Sequence, residues 1–259
     1  MVQSRVFRFA VLSMAVAVAT ACNLQLSTDV EATDTWTRSY PISASGTLVI
    51  TSSNGRVDVT AGDVDTIEVT VERIVKAGTE EAANEQLQAF EIKEDIAPDR
   101  VSLDSASRGL QINVSRRANY TVRVPRSIAV TLESSNGDLT VTGVTGPFSA
   151  SASNGRIRGL DLAGSARATT TNGVIELTMT AVAEGGVTAE TTNGQVTVSI
   201  PGNANADISA RVTNGNISHS NLDLQVSESS RRRLDGRLGA GGPAVRVETT
   251  NGAVRIVGR

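Results

Sequence analysis

The sequence predicts an all-β chain wound as a β-solenoid of the right-handed, parallel β-helix type, with coils of 18–21 residues and one inserted α-helix. Three observations predict it. First, one phrase recurs seven times, an Asn-Gly pair after small hydroxyl or apolar residues and before an alternating strand: Asn54-Gly55, Asn136-Gly137, Asn154-Gly155, Asn172-Gly173, Asn193-Gly194, Asn214-Gly215 and Asn251-Gly252. From Asn136 to Asn214 the pairs lie 18, 18, 21 and 21 residues apart, the near-fixed period of a repeat in which each unit is one turn of a stack. Second, Val130 to Leu132, Leu139 to Val141, Val174 to Leu177 and Val196 to Val198 largely alternate apolar with polar residues, the period of half-buried strands. Third, a second set of turn signals falls between successive pairs, at Gly143 to Pro147, Ala163-Gly164, Gly185-Gly186 and Pro201 to Asn203. Each coil is therefore expected to hold two principal strands and two corners.

Residues 1–21 read as a secretory signal peptide: Arg5 and Arg8 form a basic start, and Phe9 to Ala21 is a run of 13 apolar and small residues. That run is too short to stay in a bilayer as a spanning helix. Cys22 is the only cysteine, so no intramolecular disulfide can form. It is either a chance residue after an ordinary cleavage site or the lipidated start of a bacterial lipoprotein, because Ala19-Thr20-Ala21-Cys22 resembles a lipobox, with Ala19 where Leu is usual. The lipobox resemblance implies diacylglycerol on Cys22, a membrane anchor and, with Asn23 rather than Asp after the cysteine, the outer membrane. Residues 22–39 are expected to be a tether, and residues 40–259 a single solenoid domain.

One segment breaks the strand pattern. Over residues 78–96, Thr79 can cap a helix, Glu80 and Glu81 suit the positive end of its dipole, and Ala83, Leu87 and Phe90 share one face. Pro98 ends any continuation. An inserted helix is expected here, as a lid over the open end or flank of the sheet or as a partner-binding element.

The Asn-Gly pair suits a tight turn, since Gly takes positive φ without a Cβ clash and Asn tolerates the left-handed region. A hairpin meander with type I′ turns would use it too, and would place Leu132 opposite Val141. The fixed period favours the solenoid. Parallel coils place equivalent turns about 4.8 Å apart, so the same residues recur, and stacked Asn side chains can bond amide to amide. The core is correspondingly light: 39% of residues are apolar but only 3% aromatic, with Trp36, Tyr40, Phe90, Tyr120 and Phe148 beyond the signal.

The segments SSNGRVDV, RVPRSIAVTLESSNGDLTVTGVTG, the TTNG repeats, SIPGNANADISARVTNGNI and GGPAVRVETTNGAVRIVG together resemble the bacterial envelope family of putative adhesins, a domain of unknown function with a β-helix-like fold. The resemblance covers residues 40 to 259. It implies the same fold and an adhesive or scaffolding role in the cell envelope, and it brings no catalytic residues.

The residues themselves point away from several classes. Without residues 1–21 the chain holds 22 basic and 27 acidic residues, a net charge of −5, and lacks the basic stripe and aromatic platforms that nucleic acid requires. Arg231, Arg232 and Arg233 are the sole basic cluster, read as a solvated loop, a contact to anionic lipid or lipopolysaccharide head groups, or a processing site. His219 is the single histidine, and no metal-binding, phosphate-loop or nucleophile-elbow motif occurs, so no catalytic residue, metal or cofactor is expected. The enzyme alternative is a carbohydrate lyase or hydrolase drawing on Arg56, Asp58, Asp138, Arg156, Arg158, Asp161, Arg167, Glu176 and Glu190. The leading expectation is a non-enzymatic envelope lipoprotein that presents its solenoid face to a protein or an envelope polysaccharide. An envelope-stress signalling role stands beside it.

Overall fold

The computed structural model describes residues 30–106 and 113–259, so the signal segment 1–21, Cys22 and the first part of the expected tether lie outside the described residues. Along the chain, β1 (Val30–Pro41), β2 (Thr47–Asn54), β3 (Val57–Gly62), β4 (Thr66–Ala77), α1 (Glu80–Gln88), β5 (Lys93–Ala97), β6 (Arg100–Asp104) and β7 (Ser115–Pro125) come first. They are followed by β8 (Ala129–Asn136), β9 (Leu139–Thr142), β10 (Phe148–Asn154), β11 (Ile157–Leu162), β12 (Ala166–Asn172), β13 (Ile175–Met179), β14 (Val187–Asn193) and β15 (Val196–Ile200). The chain closes with β16 (Ala206–Ser220), β17 (Leu224–Ser229), β18 (Arg233–Leu238) and β19 (Ala244–Gly258).

From β2 to β15, each repeated coil is a strand that ends at its Asn and a strand that starts three residues later. The strands before the Asn stack in parallel, β2 on β8, β10, β12 and β14, with Asn opposite Asn at every step. The strands after the Gly do the same, β3 on β9, β11, β13 and β15. Period-two alternation then sends one set of side chains inward from each sheet. Leu48, Val130, Phe148, Ala166, Val187 and Val245 form one inner row, and Val57, Leu139, Ile157, Ile175, Val196 and Val254 face it from the other sheet, all buried. Thin rows of Val, Ile, Leu and Ala fill the narrow space that two close sheets leave. The parallel register excludes the meander.

The order of the stack departs from the order of the chain. After β15 the chain skips a position and lays down β16, builds the antiparallel hairpin of β17 and β18 against it, and returns as β19 into the gap. Asn251 therefore lies between Asn193 and Asn214, where the sequence period had placed Asn193 next to Asn214. In β16 and β19 a single strand runs through the Asn-Gly pair, so the pair bends the chain without ending the strand.

The other end of the stack is covered by the early part of the chain. β6 lies parallel to β2 and β7 parallel to β3, while β4 pairs antiparallel with β7 and β1 with β4. Two expectations are corrected here. Residues 30–39, expected as tether, belong to a strand paired along its whole length with β4, because Ala32 and Trp36 alternate toward the core between polar neighbours. The helix is shorter than 78–96: Thr79 caps it as expected, accepting a hydrogen bond from the Ala82 N–H at 3.2 Å, but it ends at Gln88 and Lys93–Ala97 pairs with β6. Ala83, Leu87 and Phe90 are buried as that face requires. Arg73 ties the cap together, binding the Asp34 carboxylate of β1 and the Phe90 carbonyl after the helix.

Candidate binding face

The seven Asn side chains form one ladder. The amide nitrogens of Asn136, Asn154, Asn172, Asn193, Asn251 and Asn214 donate in turn to the Oδ1 of Asn54, Asn136, Asn154, Asn172, Asn193 and Asn251, at 3.1, 2.9, 3.0, 2.8, 2.8 and 2.8 Å. The first amide, Asn54 Nδ2, donates to the Arg116 carbonyl at 3.2 Å. Backbone bonds run the other way: the amides of Gly137, Gly155, Gly173 and Gly194 donate to the carbonyls of Asn154, Asn172, Asn193 and Asn251 at 2.9–3.0 Å. Opposed directions lock each coil to both neighbours.

The Gly half of the sequence expectation holds, since Gly55, Gly137, Gly155, Gly194, Gly215 and Gly252 have φ of 119–157°, and the Asn half is corrected. None of the ladder Asn residues has positive φ among the described residues, so no left-handed turn is made at Asn. Crowding adds a second requirement for Gly at these corners. A Cβ on Gly173 would fall on the Gly155 carbonyl, and one on Gly194 on the Gly173 carbonyl, well inside the 3.0 Å that Cβ atoms keep from other heavy atoms.

Outward from the ladder, the strands that end in Asn build a flat face in register. The row next to it is hydroxylated throughout: Ser53, Ser135, Ser153, Thr171, Thr192, Thr250 and Thr213 in spatial order. The row two residues back reads Thr51, Glu133, Ser151, Thr169, Glu190, Glu248 and Arg211. Facing inward between these rows, Ser52, Ser134, Thr170, Thr191 and Thr249 are buried. Thr191 and Thr249 donate to the carbonyls of Gly173 and Gly194, at 3.3 and 3.1 Å, which fixes the strand ends under the face.

At one end the face deepens into a groove of about 600 Å³, lined by Glu190, Thr192, Arg211, Thr213, Glu248 and Thr250 on the floor and Arg232 and Arg233 on the wall. The Arg231 and Arg232 carbonyls hold that wall in place by accepting from Ile217 N and Val212 N, at 3.2 and 3.0 Å. Arg233 is committed to Asp235 and Glu228, at 2.6 and 3.0 Å. The Ser209 hydroxyl and then Arg233 hold the Asp235 carboxyl below its ordinary range. Glu190, Glu248, Arg211 and Arg232 enter no ion pair among the described residues. The basic cluster is thus split between a structural Arg233 and a free Arg232 at the groove.

Most of the other candidate charges gather on the sheet of β3, β9, β11 and β13, where Asp58, Arg158 and Glu176 share a row and Arg56, Asp138 and Arg156 precede it, and they are largely engaged with one another. Arg56 pairs with Asp58 at 3.5 Å, Arg158 with Glu176 at 3.4 Å and Asp161 with Arg259 at 3.3 Å, and Asp138 accepts from the Arg156 backbone at 2.9 Å, all away from the Asn-edged face. Only Arg167 and Glu190 stand on it. His219 is exposed on β16, beside Ile256 of β19. Sequence reasoning missed Arg211, Thr213, Glu248 and Thr250 as a group. Counting back from each Asn would have shown Glu190 and Glu248 in equivalent places, three residues before Asn193 and Asn251.

The repeated coils with their Asn ladder correspond to a known family model over β8 to β19. Residues 129–257 match the Toastrack DUF4097 family. The Toastrack segment starts at the first residue of β8, and β2 with β3 continues the same register as one more coil before it. A search of curated proteins gives no match. Among solved structures, a putative cell adhesion protein from Clostridium sporogenes is similar at 10% identity and a TM-score of 0.47, over 88% of this chain and all of that one. A putative adhesin from Bacteroides fragilis is similar at 9% identity and a TM-score of 0.34, over 87% of this chain and 97% of that one.

Proposed function

We propose that this is a non-enzymatic, lipid-anchored protein of the bacterial cell envelope, an adhesin or interaction scaffold that presents its Asn-edged face to another protein or to an envelope polymer. The face itself carries the reading: a hydroxyl row repeats at strand spacing across seven coils, and it leads into a groove whose Glu190, Glu248, Arg211 and Arg232 side chains enter no ion pair among the described residues. Regular, rigid hydrogen-bonding groups suit an extended ligand with its own repeat. Aromatic sugar platforms are absent from the groove lining, and of the charges named for an enzyme only Glu190 lines the groove, while Arg56 pairs with Asp58 and Arg158 with Glu176 on the other sheet.

Binding to isolated cell envelopes and to their purified polymers tests this, with Thr192→Lys, Thr250→Lys and Glu248→Lys combined on the face. These side chains are solvent-facing, so the fold should persist while binding falls at least tenfold. Undiminished binding by the triple variant contradicts the use of this face, and release of reducing ends from a bound polymer would replace the reading with a carbohydrate-active one.

The anchor has its own test. The protein should partition into detergent and take up a palmitate analogue, and Cys22→Ser should lose the label. A label that survives Cys22→Ser rules out this tether.

A further inference from the structure

We propose that β19 is an exchangeable strand that a second copy of this chain can supply, so that the molecule forms strand-swapped dimers. The inference stands apart from the reading of the face and rests on four features of the stack.

In its slot, β19 joins two strand edges that are laid down before it. One edge is β14 with β15, and the other is β16, which pairs on its far side with β18 through six antiparallel residue pairs and meets the rest of the stack through β19. Both edges precede β19 in the chain and are open until that strand arrives. Unpaired edges of this kind are templates for a strand from any copy.

The link to the slot is a hinge. Residues Gly239, Ala240, Gly241, Gly242 and Pro243 join β18 to β19, and the three glycines have φ of 60°, 77° and 147°. Five residues can reach roughly 17 Å when extended, and glycines adopt the extended and turned forms at little cost.

The slot is also selective, which is why the occupant is a second copy. An occupant must turn small or β-branched groups inward where Val245, Val247, Val254 and Ile256 are fully buried. It must also place Asn between Asn193 and Asn214 and Gly where a Cβ on Gly252 would fall on the Gly194 carbonyl. A second chain meets all of these requirements with the same residues.

Finally, exchange changes no contact within the stack. Every bond and buried side chain of β19 is reproduced in the other copy, so only the hinge conformation and the concentration decide between closed monomer and swapped dimer.

Two full-length mature chains carrying Cys22→Ser test this, one with Thr192→Cys and one with Thr250→Cys. These residues are exposed neighbours on β14 and β19, about 4.8 Å apart between strands and within disulfide reach. Refolded together under oxidising conditions, they should give a covalent heterodimer at least ten times more abundant than a control mixture of Ser153→Cys and Thr250→Cys. Ser153 stands in the same exposed row but three coils away in the stack. The yield should rise with concentration during refolding, in step with a dimer peak of the unmodified protein in size-exclusion chromatography. Equal yields from the two mixtures, or monomers alone at every concentration, would overturn the proposal.

Discussion

Gly173→Ala is expected to destabilise the protein by about 3 kcal/mol or more, enough to remove a large part of the stability of a typical domain. The added methyl would fall on the carbonyl oxygen and carbon of Gly155. Overpacking a core with a side chain costs about 1–3 kcal/mol because neighbouring side chains can rotate away. Here the obstacle is backbone, held by the Gly155 amide on the Asn172 carbonyl at 3.0 Å and by the Gly173 amide on the Asn193 carbonyl at 2.9 Å. Moving it lengthens both bonds and opens the ladder beside them. Gly78→Ala is the control, since a Cβ there meets nothing within 4 Å, and its effect should stay within about 0.5 kcal/mol. Denaturant midpoints of the two variants measure the difference. Nearly equal midpoints would mean that the coils do not approach each other this closely at the Asn-Gly corner.

Much of the architecture could be read before any coordinates, because each coil repeats its own chemistry. The fixed period selected parallel stacking over hairpins, and the Thr79 cap with the Ala83, Leu87 and Phe90 face located the helix. What the sequence could not convey was the order of nearly identical units. The phrases at Asn193, Asn214 and Asn251 are interchangeable as strands, so nothing local to them places Asn251 between the other two. The hint lay in the spacing: 37 residues separate Asn214 from Asn251, long enough to hold the β17 and β18 hairpin before the return.

Other misreadings have local causes. Val30, Ala32, Trp36 and Tyr40 alternate with polar residues, yet their place after a lipobox-like cysteine made a tether the simpler reading. The Lys93 to Ala97 strand has Lys93, Glu94, Asp95 and Ile96 all exposed, so it shows no alternation to mark it. The groove escaped notice because its floor comes from β14, β16 and β19 and its wall from the start of β18. No window of sequence contains it.

The central claim is the spatial order of the Asn ladder, and three single substitutions in one denaturant series test it. Asn172 and Asn251 each donate to one neighbouring Asn and accept from another, whereas Asn214 donates to Asn251 and ends the ladder. A net hydrogen bond contributes on the order of 1 kcal/mol, less where water reaches the orphaned group. The ladder is solvent-exposed, so Asn172→Ala and Asn251→Ala should each cost about 1 kcal/mol, and Asn214→Ala about half as much. If Asn214→Ala costs as much as Asn172→Ala while Asn251→Ala costs half, the stack follows the chain and β19 does not lie where it is described. Three equal losses would mean that the turns stand alone and that there is no ladder.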